Sequence, residues 1–333
     1  MSIITETLGE IRIDEPLAYR SLTLFPLTRP VEGPPDYLTL TQALAEGEAT
    51  ISEVSESGSV PEILFENRAE KPVLLVDGEE LVGAKQNRIL NLTILVPANS
   101  SLVIPVSCVE AGRWAHRERH FSETDSLAFL KMRRRKARAV SMNMRAAVGR
   151  HSSQAQVWGD IEDLVHDMNT DSPTRSMRDS FEQRRESLAQ YVEAFKATDR
   201  QVGALFASNG KVVGLDLFDH PRTLATALPK LVRSHAMEAL RASPVAEVTP
   251  PDLAQAFLNQ VSTAPHENYP AIGEGEDLRL ENEALVGGGL EARGRLIHLC
   301  AFAGDPDDDD TPRTRYVRSA ARRRAWRRSR SRR

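Results

Sequence analysis

Short apolar runs separated by turn residues dominate the first third of the chain. Such runs, or alternating and β-branched residues, predict strands at residues 22–26, 50–54, 73–76, 89–96 and 102–106. Asp, Gly, Pro and Asn lie between several of them, as tight turns require. One short helix is expected near residues 41–48. Several short strands with close turns favour a sandwich or a small barrel.

A helical pattern replaces the strand pattern at residues 124–199. Residues 124–126 (Thr-Asp-Ser) can cap a helix that runs into the basic residues 133–136. Apolar residues recur about once per turn over residues 154–168, which predicts an amphipathic helix. Ser172 can cap a further helix, because Pro173 suits its first turn.

A repeated segment marks the return of strands after residue 200. Residues 202–218 align without gaps to residues 286–302, from a shared Val-Gly to a shared Phe. Each copy predicts a hairpin, with an Asn-Gly or an Arg-Gly turn, and the two hairpins are expected in one sheet. Two helices are expected between the copies, and Pro229 should kink or divide the first.

These patterns predict an α+β protein. Its β-sandwich or barrel-like core combines the N-terminal and C-terminal segments, residues 5–123 and 200–304, and the helices at 124–199 form an insertion. Residues 1–304 are expected to form a single domain. Residues 305–333, which are first acidic and then arginine-rich, are expected to be a disordered tail.

Charge is distributed unevenly along the 333 residues, although the net charge is only −4. Residues 313–333 contain eleven arginines and no acid. The rest of the chain therefore has 32 of the 43 basic residues and all 47 acidic residues, so its charge balance is clearly negative. The acidic body argues against a broad nucleic-acid surface, and RNA binding is expected only through the tail, if at all. The alternative is that the tail is an accidental extension, such as a shifted reading frame.

The chain has the features of a cytoplasmic protein. Its two cysteines form neither a disulfide framework nor a zinc cluster, which fits a reducing compartment. The N-terminus does not resemble a signal peptide. No apolar run approaches the roughly 20 residues that a membrane span requires.

A dense polar segment, residues 77–88, lies between apolar runs. Its polar side chains are Asp77, Glu79, Glu80, Lys85, Gln86, Asn87 and Arg88. The glutamates can transfer protons or bind a divalent metal, and the cations and amides suit phosphate and ribose hydroxyls. Asp77-Gly78 predicts a hairpin turn. The alternative is an exposed hairpin whose charges are simply solvated.

A second polar segment, residues 108–114, follows a predicted strand. Glu110 can act as an acid or a metal ligand, Arg113 can hold an anion, and Trp114 can stack on a base. The alternative is that Glu110 and Arg113 pair locally while Trp114 covers the edge of the core. A structural role is favoured for Cys108, because no nearby histidine completes a catalytic relay.

Two polar residues lie on apolar strands of the repeat. Asp216 should pair with a cation, a ligand or a neighbouring helix, because an unpaired carboxylate in apolar surroundings is costly. For His298, a hydrogen-bonded core histidine is favoured over a metal ligand. Lys230 and Ser234 lie one turn apart and can reach the same partner. No zinc-protease, P-loop or serine-hydrolase signature is present.

Residues 78–88 and 104–114 resemble the "ARG and Rhodanese-Phosphatase-superfamily-associated Protein" domain family, where ARG means ADP-ribosylglycohydrolase. Further residues that fit this family are Gly203, Asp216, Phe218, Asp219, Lys230, Ser234, Arg279 and His298. The resemblance covers roughly residues 5–304 and implies, by analogy, a role in NAD or ADP-ribose metabolism.

The resulting hypothesis is that the protein binds or processes an ADP-ribose or NAD-derived nucleotide. Lys85 and Arg88 would hold the diphosphate, Gln86 and Asn87 the ribose or base, and Trp114 would stack. Arg113 and Asp216 complete the expected ligand site, and Glu79, Glu80 and Glu110 are candidates for general acid/base or divalent-metal ligand. The alternative is a non-enzymatic adaptor that uses the helical block and the hairpin at 77–91. The sequence assigns no reaction, cofactor or oligomeric state.

Overall fold

The computed structural model describes residues 2–115, 118–241 and 249–305. The helices in these ranges are α1 (Ile3–Gly9), α2 (Leu40–Ala45), α3 (Leu130–Arg145), α4 (Gln154–Asp167), α5 (Met177–Gln183), α6 (Arg185–Ala194), α7 (Pro221–Arg241) and α8 (Pro251–Ser262). The strands are β1 (Arg12–Ile13), β2 (Leu17–Tyr19), β3 (Leu22–Thr28), β4 (Leu38–Thr39), β5 (Ala49–Ser52), β6 (Glu62–Asn67), β7 (Val73–Leu75), β8 (Glu79–Gly83), β9 (Arg88–Leu90), β10 (Ile94–Val96), β11 (Ser100–Cys108), β12 (Phe121–Leu127), β13 (Gln201–Ser208), β14 (Lys211–Phe218), β15 (His266–Pro270), β16 (Glu276–Glu281), β17 (Leu285–Ala292) and β18 (Arg295–Ala303).

The largest sheet combines strands from both ends of the chain. Its order is β1-β3-β13-β14-β18-β17-β16-β15, with β2 also paired to β3. The two copies of the repeat form the hairpins β13–β14 and β17–β18, which join through β14 and β18 so that Asp216 lies opposite Cys300. The prediction of two hairpins in one sheet is therefore confirmed. Both residues of each turn, at 209–210 and 293–294, have positive φ, as a two-residue type I′ turn requires.

Helices cover both faces of this sheet because its apolar side chains alternate between them. Leu205 and Leu215 belong to a core cluster with α1 and α8. Phe206 and Phe218 point to the opposite face, into a cluster with α3 to α7. The fold is a mixed α+β structure with the helices α3 to α6 inserted between its strands, as the sequence predicts.

Two smaller sheets carry the first polar segment. One has the order β12-β8-β9-β11-β6-β5, and the other has the order β10-β7-β4. Asp77-Gly78 links β7 to β8, which belong to different sheets, so the predicted hairpin turn at this dipeptide is wrong. Gly78 has a φ of 85° and forms a corner between the sheets. The hairpin instead consists of β8 and β9, with residues 84–87 as its loop.

The predicted starts of two helices are also wrong. Ser172 and Pro173 do not begin a helix, because α5 begins at Met177 with Ser176 as its N-cap. Thr124 does not cap a helix, because residues 121–127 pair with β8 as strand β12 and α3 begins only after Phe129. Pro229 does not divide α7, which continues through it from Pro221 to Arg241. A proline inside a helix costs about 3 kcal/mol, and α7 offsets that cost by packing against β12, β13 and α6.

In the described part of the chain, no helix has the length and apolar character that crossing a bilayer requires. The arginine-rich tail predicted after residue 305 lies outside the described residues.

Helix α3 carries four consecutive cations into the protein interior. Arg133 forms a two-pronged ion pair with Asp216 of β14, at 3.0 Å and 2.6 Å. Lys136 pairs with Asp77 and also donates to the Asn91 carbonyl oxygen at 2.9 Å. Arg134 and Arg135, which lie between Arg133 and Lys136 in sequence, also form ion pairs. Arg134 pairs with Asp305 and Arg135 with Asp160. These pairs connect α3 to the large sheet, to the corner at Asp77 and to α4.

We expect the substitution Asp216→Asn to reduce the free energy of unfolding by about 3–5 kcal/mol, because it leaves the buried Arg133 guanidinium with only the Asp77 carboxylate, 3.7 Å from its Nε. Urea denaturation measures this loss. Glu193→Gln is the matched control, since its pair with Lys196 is solvent-exposed and should contribute little. Equal losses in both variants would contradict a stabilising role for the Arg133–Asp216 pair.

Candidate functional site

The first polar segment is buried rather than exposed. All residues from 72 to 96 are buried except Val82, which is half-buried. Its charges therefore meet protein groups instead of water, and the alternative of a solvated surface hairpin is wrong. What each polar side chain contacts then decides which of them remain available to a ligand.

The two polar segments interlock through Arg113. Its guanidinium pairs with Glu110 at 2.7 Å and donates to Asn87 Oδ1 at 3.0 Å and to the Ala84 carbonyl oxygen at 2.7 Å. Gln86 Nε2 donates to the Glu110 carbonyl oxygen at 2.9 Å. The structure thus brings together the residues 84–87 and 110–113, which the sequence places in one site.

Glu110 and Arg113 are fully engaged in holding this loop. The Glu110 carboxylate also accepts hydrogen bonds from the Asn87 main-chain N–H at 3.3 Å and from Thr174 Oγ1 at 3.0 Å. Burial acts to raise the pKa of Glu110, but Arg113 outweighs it and holds the pKa below its ordinary value. Glu110 is therefore an ionised structural group in this state. Gly83 is required nearby, because a Cβ there would lie 2.5 Å from the His120 carbonyl oxygen.

Lys85, Arg88 and Trp114 form a cluster that we call the cation–tryptophan cluster. The Trp114 side chain is 48% exposed, and Lys85 Nζ and Arg88 Cζ lie 5.5 Å and 5.7 Å from its ring centre. Both distances permit a cation–π interaction. Trp114 does not cover the core edge completely, since almost half of its surface faces solvent.

The two cations of this cluster lack close counter-charges. The nearest carboxylate oxygen to Arg88 belongs to Glu53, at 3.8 Å. Among the described residues, Lys85 forms no ion pair, and its Nζ donates to the Glu56 carbonyl oxygen at 2.5 Å. Arg88 Nε and Glu53 Oε2 are both buried without a hydrogen-bond partner in the described structure. Burial lowers the pKa of Arg88, which reflects this incomplete compensation.

Glu79 lies in an ion-pair chain that leads to α7. Its carboxylate accepts from Lys230 Nζ at 2.7 Å, and Lys230 also pairs with Glu123 at 3.0 Å. Ser234 donates instead to the Ala128 carbonyl oxygen at 2.7 Å. The prediction that Lys230 and Ser234 share a partner is therefore wrong, because the two side chains point to different elements.

Glu80 differs from the other two candidate glutamates. It is 1% exposed, and its Oε2 accepts from Thr124 Oγ1 at 3.1 Å, while Oε1 has no partner among the described residues. Burial raises the pKa of Glu80 to about 7, against a smaller lowering by Arg178. Glu80 is thus the candidate whose protonation changes near neutral pH.

Asp216 belongs to a second, fully buried cluster. Besides Arg133, its carboxylate meets His298 Nε2 at 3.3 Å, and His298 Nδ1 is 2.7 Å from Thr93 Oγ1. Burial acts to raise the pKa of Asp216, but Arg133 lowers it to about 2. Asp216 therefore pairs with a cation of the neighbouring helix α3, and the interpretation of His298 as a hydrogen-bonded core histidine is confirmed.

The sequence interpretation missed the partners on α3. Arg133 and Lys136 were predicted only as the basic part of a helix with no partners assigned, and both are buried. The signal that could have revealed them is the matching set of acids on apolar strands, such as Asp216. Beside these pairs is a cavity of about 10 Å³, room for about one water, lined by Asp77, Thr93, Asp277, Arg279, Gly288 and Cys300.

Neither thiol chemistry nor a metal centre emerges from the described residues. Cys108 is buried, and burial raises the pKa of its thiol to about 11, which confirms the structural interpretation. No group of three or more His, Cys, Asp or Glu side chains in the described ranges could hold a metal ion. The candidate carboxylates Glu79 and Glu110 bond to different protein cations instead.

The structure is thus an α+β fold with two interlocked polar motifs. Comparison with known proteins assigns the chain to a family. The family model of the "ARG and Rhodanese-Phosphatase-superfamily-associated Protein" domain matches residues 10–302. The chain belongs to this family, as its two motifs indicate. The family name links its members to ADP-ribosylglycohydrolase. The searches of curated proteins and of solved structures found no match.

We expect Glu80→Gln to stabilise the protein increasingly as pH rises. The folded-state pKa of about 7 exceeds the ordinary value of 4.5, so the stability that the protonated Glu80 carboxyl contributes is complete below pH 4.5 and is lost as pH rises through 7. The amide retains an acceptor for Thr124 and does not titrate. The free energy of unfolding of Glu80→Gln minus that of the wild type should therefore increase by about 3 kcal/mol between pH 4.5 and pH 8.

Urea denaturation across this pH range measures the effect. The exposed Glu186→Gln variant is the control, and its difference from the wild type should stay nearly constant. A pH-independent difference for Glu80→Gln would show that the carboxyl titrates normally.

Proposed function

We propose that the protein binds a nucleotide of the ADP-ribose or NAD class at the cation–tryptophan cluster. The observation that supports this most directly is the pair of incompletely compensated cations, Lys85 and Arg88, against the ring of the exposed Trp114. A diphosphate offers charge-assisted, bidentate acceptors to such cations. An adenine can stack on the solvent-facing side of the indole.

Electrostatics favours an anionic ligand here. Burying a cation without a close counter-charge costs several kcal/mol. Arg88 is 0% exposed, its nearest carboxylate is 3.8 Å away, and its Nε has no partner in the described structure. A bound diphosphate would supply the missing charge, so ligand binding would recover free energy that the empty site lacks.

The remaining polar residues of the two motifs take supporting roles in this proposal. Gln86 and Asn87 bond to Glu110 and Arg113, so they shape the loop that presents Lys85 and Arg88. Their direct contact with ribose is not required. Asp216 is assigned to the Arg133 ion pair and not to the ligand.

Among the three candidate glutamates, the role of general acid or base is assigned to Glu80. A general acid or base works best with a pKa near the working pH, and the pKa of Glu80 is about 7. Glu79 and Glu110 are held in ion pairs with Lys230 and Arg113. Glu80→Gln should then abolish turnover while leaving nucleotide affinity nearly unchanged.

We expect isothermal titration to detect binding of ADP-ribose, NAD or AMP by the wild type, and Trp114→Ala to weaken it. A base stacked on an aromatic side chain contributes about 1–3 kcal/mol, so the affinity should fall by roughly 5- to 150-fold. Trp158→Ala is the matched control, because Trp158 is also a surface tryptophan, 40% exposed, and lies on α4.

The outcomes of the titration separate the alternatives. If none of the three nucleotides releases or absorbs heat on titration into the wild type, the nucleotide assignment is wrong. A loss of affinity in Trp158→Ala but not in Trp114→Ala would move the ligand to the helical block. Lys85→Gln should weaken ADP-ribose more than it weakens adenosine, because adenosine has no phosphate for Lys85 to contact.

A protein-interaction role is the second candidate, and a cleft on the helical block favours it. The cleft has a volume of about 290 Å³ and is lined by Ala111, Ala155, Trp158, Glu162 and Arg175, among others. An exposed tryptophan beside an arginine suits a peptide with an apolar and an acidic side chain.

Photo-crosslinking tests this second role. A crosslinker at position 158 should capture one discrete partner in cells, whereas a crosslinker at Val103, 48% exposed against 40% for Trp158, should not. Identical patterns from both positions would argue against an adaptor surface at the cleft.

A further inference from the structure

The loop between β5 and β6, residues 53–61, covers the cations of the cation–tryptophan cluster. Its main-chain carbonyl oxygens accept hydrogen bonds from both: Glu56 O from Lys85 Nζ at 2.5 Å, and Ser59 O from Arg88 Nη2 at 3.4 Å. Glu53, at the start of the same loop, is the carboxylate nearest to Arg88. The loop therefore supplies much of the negative potential that these two cations meet.

Few apolar contacts hold this loop closed. Residues 55–57 are exposed, Val54 is only half-buried, and Val60 is 40% exposed. Within the loop, the Gly58 amide donates to the Ser55 carbonyl oxygen at 3.0 Å, and the hydroxyls of Ser55 and Ser57 lie 2.9 Å apart. Polar contacts therefore hold the loop closed, among them Glu53 Oε1, which accepts from the Lys85 main-chain N–H at 3.2 Å. A segment with little buried apolar surface opens more readily than the core.

Phosphate oxygens are stronger acceptors for these cations than carbonyl oxygens. A bond from either cation to a phosphate oxygen joins opposite charges, whereas its bond to a carbonyl oxygen has only one charged partner, and Arg88 Nε has no partner in the described structure with the loop closed. Displacement of the loop would also carry the Glu53 carboxylate away, and this carboxylate would otherwise repel an incoming phosphate.

We infer that residues 53–61 form a lid whose carbonyl oxygens occupy the phosphate site until a nucleotide displaces it. This inference rests on the proposed nucleotide function and adds its regulation. In the closed state Lys85 and Arg88 contact Glu56 and Ser59, and in the open state they contact the phosphates. The affinity that is measured then depends on the fraction of molecules with an open lid.

Gly58 offers a substitution that strains the closed lid. It has a φ of 76°, and an added Cβ would lie 3.1 Å from Lys85 Cδ and 3.3 Å from Glu53 Oε2. Gly58→Ala should therefore open the lid and tighten binding of ADP-ribose and of inorganic phosphate by roughly tenfold in isothermal titration. Gly33→Ala is the matched control, because Gly33 has a φ of 72° with no atom within 4 Å of an added Cβ. Its affinity should match the wild type.

Hydrogen exchange provides a measurement that needs no variant. Amides at 54–60 in the wild-type protein should exchange faster when ADP-ribose is bound, whereas a loop that closes over a ligand would exchange more slowly. The lid requires both results, tighter binding by Gly58→Ala and faster exchange.

The failure of the lid and the failure of the nucleotide function are distinguishable. If the wild type binds ADP-ribose and Gly58→Ala binds it equally well, the lid is overturned and the nucleotide function stands. Slower hydrogen exchange in the loop when ADP-ribose binds would likewise overturn the lid and leave the nucleotide function standing. If neither protein binds ADP-ribose or phosphate, the nucleotide function is overturned and the lid with it. Binding by Gly58→Ala alone would support the lid.

Discussion

The ion pair between Arg133 and Asp216 connects the helical insertion to the large sheet, and the rest of the structure is arranged around it. Arg133 lies on α3 and Asp216 on β14, and both are 0% exposed. Three residues along α3, Lys136 pairs with Asp77 at the corner between the two smaller sheets. Such buried pairs add little net stability over apolar packing, but a mismatched partner is costly. They therefore specify where α3 lies.

Buried charge has two different states in this protein. At Arg133 both Nη groups donate to the Asp216 carboxylate, at 3.0 Å and 2.6 Å, and a second carboxylate, that of Asp77, lies 3.7 Å from Nε. At Arg88 the nearest carboxylate is 3.8 Å away, and backbone carbonyl oxygens and the Gln86 side chain accept its hydrogen bonds. The first state suits a structural cation and the second suits a binding cation. This contrast is the reason that the proposed ligand site lies at Lys85 and Arg88 rather than at Asp216.

Sequence patterns predicted the elements that local chemistry controls. The turns at 209–210 and 293–294 were predictable because each combines a glycine with flanking alternation, and the structure has two hairpins there. Asp77-Gly78 has the same chemistry but forms a corner, because the strands that flank it pair with other strands. Residues 133–136 were predicted as part of a helix but without partners, since no local pattern reveals acids that lie 25 to 171 residues away.

By itself, the sequence determined the family, the α+β class and the two polar motifs, because those depend on residue types and their short-range spacing. Only the tertiary structure decided which polar groups are available. Burial and pairing are set by contacts between distant segments, such as Arg113 with Asn87 or Lys230 with Glu79. The same residue types therefore became ion pairs in one place and an incompletely compensated pair of cations beneath the loop 53–61 in another.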